Sequence, residues 1–213
     1  MTDLAPSNTD GFPSRTRQRL ETREKLYQAA VAAFRHSGVS AASVEEIVRA
    51  AGVARGTFYL HFPTKDDVLV ELLRRNQAVV ADRLVGKRRA GAATYLGLAA
   101  NGMVDWVRSE GPELSREIFM MILRRGTETE DEVAVVTEEL EAFFIEAQQR
   151  GEARDDLAPH DLMILFLTSV FGLVLMVDDP TSDGIRTSLH QACEVFVRGI
   201  APAAQAELQS TTA

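Results

Sequence analysis

The chain of 213 residues is 46% hydrophobic and 25% charged, which is typical of a globular protein with its own apolar core. Its single cysteine, Cys193, excludes an intramolecular disulfide framework and a zinc site made of several cysteines, so a reducing cytoplasm is the expected compartment. The formal net charge of −8 is unevenly distributed, with +2 over residues 1–75 and −10 over residues 76–213.

The first helix is predicted to follow a disordered leader. Segment 1–15 lacks the apolar core of a secretory signal. The helix is expected from residue 16 or 22 to His36, because its apolar residues recur at the spacing of one helical face. These residues are Leu26, Ala29, Ala30, Ala33 and Phe34. Gly38 is the expected stop, since glycine is common just past helix C-termini.

Two short helices separated by a tight turn are predicted next. Ser43 and Glu46 have the spacing of a capping box, in which each side chain accepts the backbone N–H of the other residue. The helix that they open is expected to end at Gly52, because glycine tolerates the positive φ of a tight turn. Its buried face is formed by Val44, Ile47, Val48 and Ala51. The following helix spans about Arg55 to His61, and Pro63 closes it.

The rest of the chain is predicted to be helical as well. Thr64 and Asp67 form a second capping box, which opens a fourth helix running to about Val85. Five further helices are expected over Ala92–Ser109, Pro112–Arg125, Asp131–Arg150, Pro159–Val177 and Ser182–Ile200. Strand-like alternation is absent from the sequence, so the predicted fold class is all-α with about nine helices.

The expected domain organisation follows from these elements. A three-helix helix-turn-helix segment is predicted over residues 16–64, and a larger helical body over residues 65–202. The small, polar residues 203–213 predict a frayed tail.

The third helix offers the chemistry that a DNA-reading helix needs, since the major groove admits one α-helix. Arg55 can bond guanine or a phosphate, and Gly56 lets the backbone approach the duplex closely. Thr57 and Tyr59 present hydroxyl groups suited to phosphate oxygens, and His61 lies at the far end of the helix.

Two aromatic residues and a lysine complete this pattern. Phe58 and Phe62 are expected to face inward and hold the reading helix to the first helix. Lys65 lies in the first turn of the fourth helix, where the helix dipole disfavours a cation, so a phosphate partner is predicted for it. The predicted DNA contacts are Ser43, Arg55, Gly56, Thr57, Tyr59, His61 and Lys65. Taken singly, Arg55, Thr57 and His61 fit solvated surface residues and Tyr59 fits a half-buried packing residue. Ser43 is a cap whatever the function.

Residues 22–70 resemble the DNA-binding domain of the tetracycline-repressor (TetR) family of bacterial regulators. The resemblance rests on Phe34, Gly38, Ile47, Ala51, Gly52, Val53, Gly56, Thr57, Phe58, Tyr59, His61, Phe62 and Lys65. Two positions depart from the family pattern. Val48 replaces an alanine where two helices approach closely, and Ala54 replaces a serine that would cap the reading helix and touch a phosphate.

The resemblance implies an effector cavity in the helices after the fourth. Methionine and aromatic side chains suit such a cavity, although each is also a candidate for the ordinary core. The predicted ligand-binding residues are Tyr95, Asn101, Met103, Trp106, Met120, Met121, Phe144 and Phe166, with Asp105 as a further polar anchor beside Asn101. Phe119 and Phe143 are additional candidates.

The resemblance also implies a homodimer formed by the last two helices. The run from Leu162 to Val177 is too hydrophobic all round for a surface helix and too short and interrupted for a membrane span. We expect one side to meet its own domain and the other to meet a second copy, together with the helix over 182–200. A buried central helix in a monomer is the alternative.

The sequence therefore predicts a dimeric regulator, a repressor that binds a palindromic operator and is released by a hydrophobic or aromatic effector. Catalytic residues, a cofactor, a metal site and membrane insertion are not expected. A helical carrier or enzyme for hydrophobic ligands is the alternative function. A third possibility is a protein-interaction module that uses the reading face.

Overall fold

The computed structural model describes residues 14–125, 130–176 and 183–202, and these residues form helices and the turns between them. Most of the predicted leader and the whole predicted tail, 203–213, lie outside the described residues. Ser14 and Arg15, assigned to the leader, instead begin the first helix.

The all-α prediction is confirmed, and the described residues contain nine helices as expected. They are α1 (Ser14–Ala41), α2 (Val44–Ala51), α3 (Arg55–His61), α4 (Lys65–Leu84), α5 (Ala92–Glu110), α6 (Pro112–Arg125), α7 (Glu130–Gln149), α8 (Pro159–Met176) and α9 (Asp183–Gly199). From α2 to α9, each predicted helix end that falls on a described residue lies within one residue of the observed one. The predicted end of α8 at Val177 and start of α9 at Ser182 lie outside the described residues.

The first helix is longer than predicted. Gly38, with φ 78° and ψ 158°, interrupts the helical backbone as expected, but helical geometry resumes and continues to Ala41. A glycine can adopt this positive φ without steric cost, so the first helical stretch stops at Gly38 and a short helical segment to Ala41 follows the kink.

The chain divides into two compact units, residues 1–68 and residues 69–213. In the first unit, α2 packs on α1 and α3 packs on α2. Its core contains side chains from all three helices and the turn after α3. They are Leu26, Tyr27, Ala30, Val31, Phe34, Ile47, Val48, Phe58 and Phe62, all buried. This core fixes α3 while leaving one of its faces in solvent.

The second unit is a helical bundle in which α8 packs on α7 and α9, and α5 packs on α6 and α9. Side chains at helical spacing along α8 are buried, among them Met163, Phe166 and Val170. Within the described part of the chain, α8 is the one helix long and apolar enough to cross a bilayer, and a third of it is buried in the fold. Burial of one α8 face is what a core helix of a bundle shows.

Candidate nucleic-acid interface and ligand cavity

The helix-turn-helix segment is held by the caps that its sequence predicts. The Ser43 hydroxyl accepts the Glu46 N–H at 3.2 Å, and the Glu46 carboxylate accepts the Ser43 N–H at 3.5 Å. Gly52 ends α2 in the left-handed region, with φ 69°. Beyond the turn, Phe58 and Phe62 are fully buried, which confirms their predicted inward orientation.

The exposed face of α3 presents Arg55, Gly56 and Tyr59, while Thr57 is half-buried. The Arg55 guanidinium lies 2.5 Å from the Glu45 carboxylate of α2 and 6.0 Å from the centre of the Tyr59 ring. Both partners of this ion pair are solvent-exposed, so exchanging Glu45 for a DNA phosphate or base costs little. The arrangement leaves Arg55 available to an anionic partner.

The end of α3 is anchored by an arginine that the sequence analysis did not single out. Arg23 of α1 donates to the His61 carbonyl oxygen at 2.6 Å, and its guanidinium lies 4.2 Å from the centre of the Phe62 ring. Burial, and then the positive charges of Arg19 and Arg23, lower the pKa of the His61 imidazole. The shift favours the neutral imidazole of His61, and its contact with DNA stays a prediction.

Lys65 has partners other than a phosphate. Its ammonium donates to the carbonyl oxygens of Val39 at 2.6 Å, Ser40 at 3.1 Å and Ala42 at 3.2 Å. Carbonyls at a helix C-terminus have no partner within their own helix, and Lys65 satisfies them at the end of α1. Its place in the first turn of α4 thus has a structural explanation, and the phosphate contact stays a prediction.

Ala54 occupies the N-cap of α3 with an extended backbone and makes no side-chain cap. The missing hydroxyl leaves the first turn of the reading helix held by a backbone bond, in which the Thr57 N–H donates to the Ala54 carbonyl oxygen at 2.9 Å.

The second unit contains an apolar cavity of about 220 Å³. Five helices, α4 to α8, contribute to it. Its lining residues are Leu73, Asn76, Gln77, Val80, Met103, Trp106, Phe119, Ile122, Val136, Thr137, Ile164, Leu167, Thr168 and Phe171. None of these residues is charged, so the cavity suits an apolar and neutral occupant.

The structure brings only part of the predicted ligand set to this cavity. Met103 and Trp106 line it, as does the additional candidate Phe119. The other predicted residues lie elsewhere: Tyr95, Met121, Phe144 and Phe166 are buried in the core, and Met120 is 48% exposed. The residue type shows that a methionine or aromatic side chain on an amphipathic helix is apolar, but it does not show which neighbouring helix or cavity that side chain contacts.

The two predicted polar anchors do not line the cavity either. The Asn101 amide donates to the Gly97 carbonyl oxygen of its own helix at 2.7 Å and lies in a separate groove between α5 and α9. Asp105 accepts from Arg83 at 2.8 Å and from Arg186 at 2.7 Å, so it joins three helices of the unit. Asp105 is therefore a structural ion-pair residue rather than a ligand anchor.

The polar residues of the cavity were not predicted, because a single polar residue on a helix forms no pattern in the sequence that indicates a cavity. Gln77 and Asn76 of α4 and Thr168 of α8 line the cavity, and only the packing of distant helices identifies them. Among the described residues, no group of three or more His, Cys, Asp or Glu side chains is placed to hold a metal ion.

Comparison with known proteins shows which family the N-terminal helices resemble. The model of the family described as bacterial regulatory proteins, tetR family, matches residues 26–72. Over these residues the chain is similar to the TetR family. The regulator AcrR of Shigella flexneri is 28% identical over 132 residues, which cover 62% of this chain and 61% of AcrR.

A second relative matches over a shorter stretch at higher identity. The regulator SrpR of Pseudomonas putida is 44% identical over 63 residues, or 30% of this chain and 26% of SrpR. The match to either TetR-family relative thus spans less than two thirds of that relative's length. A solved structure of FadR from Thermus thermophilus, a TetR-family repressor in complex with lauroyl-CoA, has a TM-score of 0.67 and 21% identity, covering 83% of this chain and 94% of FadR.

Proposed function

We propose that the chain is a transcriptional repressor whose affinity for operator DNA is lowered by a small apolar effector. The observation that carries the proposal is the α2–turn–α3 segment, where buried Phe58 and Phe62 fix a short helix and leave Arg55 and Tyr59 in solvent. An exposed arginine on a rigid short helix is suited to base edges and phosphates in a major groove.

A second copy of the chain is the proposed partner in solution. On α8, the apolar side chains of Ile164, Leu165 and Met176 are exposed, and on α9 Val195 is 72% exposed. Apolar residues grouped on two neighbouring helices are typical of a helical dimer interface. Two copies would place two reading helices on half-sites about one helical turn apart, roughly 34–36 Å, in a palindromic operator.

Helix α4 is the proposed route from effector to DNA. Leu73, Gln77 and Val80 of α4 line the cavity, and the same continuous helix begins at Lys65, which is bonded to the end of α1. An effector that favours a different position of α4 would change the spacing of the reading helices. Such coupling typically amounts to about 1–3 kcal/mol.

The effector class is proposed from the lining of the cavity. Thermus FadR is seen with lauroyl-CoA, an apolar chain on a charged carrier. The cavity of this chain suits a mainly apolar, uncharged ligand, because its lining residues have no charged side chain to pair with the phosphates of coenzyme A.

The test is selection of genomic DNA fragments by the purified chain, followed by affinity measurements with the selected operator. We expect a palindrome, and we expect Arg55→Ala to weaken binding about fivefold to 150-fold, the equivalent of roughly 1–3 kcal/mol. Arg89→Ala is the charge-matched control, since Arg89 is exposed in the second unit.

Sequence-blind binding that Arg55→Ala does not change would contradict the proposal. If the chain also turned over a bound apolar compound, the carrier or enzyme alternative would be favoured. Loss of binding to a protein partner on changing Arg55 would instead favour the interaction module.

A further inference from the structure

In the part of the chain that the structure describes, two buried polar atoms of cavity-lining residues have no hydrogen-bond partner. One is the indole N–H of Trp106, whose side chain is more than nine-tenths buried, and the other is the side-chain carbonyl oxygen of Gln77. Buried polar groups are normally paired, because an unpaired donor or acceptor has lost its water without compensation. A donor and an acceptor therefore remain unsatisfied at the wall of one cavity.

Other polar side chains of the same wall are already bonded within their own helices. The Asn76 amide donates to the Leu72 carbonyl oxygen at 3.0 Å, and the Thr168 hydroxyl donates to the Ile164 carbonyl oxygen at 2.8 Å. Unlike Asn76 and Thr168, Trp106 and Gln77 therefore have polar atoms that a bound ligand can pair with.

The rest of the wall indicates the shape and charge of that partner. The Trp106 and Phe119 rings meet edge to face with their centres 5.6 Å apart, and the Phe119 and Phe171 ring centres are 4.9 Å apart. Aromatic groups pack favourably in such offset and edge-on arrangements. The volume of about 220 Å³ is below the roughly 300–1,000 Å³ of typical drug-sized pockets, so the occupant is small.

We infer that the ligand of this cavity is a small, neutral aromatic compound with a hydroxyl group, held by the Trp106 N–H and the Gln77 carbonyl. A hydroxyl oxygen accepts from the indole N–H while the hydroxyl hydrogen is donated to the glutamine oxygen. The inference rests on the proposed function, because it specifies the ligand of the cavity to which that function assigns the effector.

The experiment uses the full chain and four probes that differ in one substituent. Para-propylphenol offers a donor and an acceptor, para-propylanisole offers an acceptor alone, propylbenzene offers neither, and para-propylbenzoate is an anion. Binding is measured by titration calorimetry. Quenching of the fluorescence of Trp106, the single tryptophan of the chain, reports whether the probe occupies this cavity.

We expect the phenol to bind most tightly, then the anisole, then propylbenzene, with roughly threefold to tenfold lost at each step and with no binding of the benzoate. In Gln77→Leu the phenol should lose its advantage over the anisole, because the acceptor is gone. In Trp106→Phe the anisole should lose its advantage over propylbenzene.

Thr168→Val is the matched control, since its hydroxyl is already bonded within α8, and it should keep the order of the four probes. Equal affinity of phenol and propylbenzene, tighter binding of the benzoate, or no binding of any probe would overturn the inference. These outcomes come from unmodified protein, so they do not depend on the folding of the variants.

Operator affinity is measured separately, which keeps the two proposals distinct. Selective phenol binding with no change in operator affinity would support the inference and contradict the ligand response in the proposed function. Operator binding by a chain that shows no preference for the phenol would leave the regulator in place and overturn the inference.

Discussion

The two compact units place their candidate sites in different ways. The proposed DNA contacts of the first unit come largely from one short segment, Arg55 to Lys65, and the main ones are exposed. The cavity of the second unit is assembled from five helices that span residues 73–171, and its residues are apolar or neutral. A contiguous site can be identified from a motif, whereas a cavity among distant helices depends on how those helices pack.

The units also satisfy their polar groups differently. In the first unit, caps and one lysine satisfy the backbone at the ends of α1, α2 and α4. In the second, Arg88 joins Glu139 at 3.0 Å and Glu146 at 2.8 Å, and the Tyr95 hydroxyl donates to the Glu139 carbonyl oxygen. Burial and then the charge of Glu139 raise the pKa of Tyr95 to about 12. Substitutions that affect one unit at a time therefore test this contrast.

Lys65→Met should have the largest effect and should loosen the first unit. It removes a charged donor from three carbonyl groups. A hydrogen bond to a charged group contributes about 1.5–3 kcal/mol to stability. We expect the free energy of unfolding to fall by roughly 2–3 kcal/mol. Hydrogen exchange should rise in α1–α3 and stay unchanged in α5–α9.

Lys25→Met is the control for this change, because Lys25 is an exposed lysine of α1. An unchanged exchange rate in Lys65→Met would show that the ammonium does not hold the end of α1. The lysine would then be free for the phosphate contact that the sequence predicts.

Glu71→Gln should weaken the second unit in a pH-dependent way. Burial tends to raise the pKa of Glu71, but its hydrogen bonds to Arg75 and Arg74, at 2.9 Å each, outweigh burial and lower it below the usual 4.5. A lowered pKa in the folded state adds stability above pH 4.5 that is lost as the pH falls through the folded value. We expect a loss of about 1–3 kcal/mol at pH 7 in the variant.

The measurement is urea unfolding of both proteins from pH 7 downwards, and the difference between their free energies of unfolding should shrink as the pH falls below 4.5. Asp82→Asn, an exposed acid on the same helix, should leave the pH dependence unchanged. A difference between wild type and Glu71→Gln that stays constant with pH would contradict the assignment.

Ala54→Ser should have the smallest effect and should stabilise the protein. The serine hydroxyl would accept the N–H of Gly56 or Thr57 at the N-cap of α3, where Ala54 makes no side-chain bond. A cap of this kind typically contributes about 1 kcal/mol. Thermal unfolding should show the gain, and Ala54→Val, which lacks an acceptor, should show none. Equal stability of the serine and valine variants would mean that the first turn of α3 gains nothing from a cap.

The fold could be predicted from the sequence because helix signals are local. The capping boxes at Ser43 and Thr64, Gly52 and the apolar spacing fixed helix positions to within one residue from α2 onward. At Gly38 the helical backbone is interrupted as predicted, with φ 78°, and the short helical segment that follows to Ala41 was not predicted.

The candidate sites were predicted unevenly for the same reason. The capped helices and the buried Phe58 and Phe62 were expected from spacing, and the structure confirms them. Among the cavity residues, Met103 and Trp106 were expected from residue type, but Gln77 was not. The sequence does not show which residues surround a polar side chain of a helix, or whether its polar atoms have hydrogen-bond partners.

The sequence by itself determined the helices, the all-α class and the DNA-reading motif, because each depends on residues only a few positions apart. Tertiary structure decided which side of each helix is buried, where Lys65 donates its hydrogen bonds and which residues enclose the cavity. These features depend on contacts between residues far apart in the chain, and such contacts form only when the helices pack.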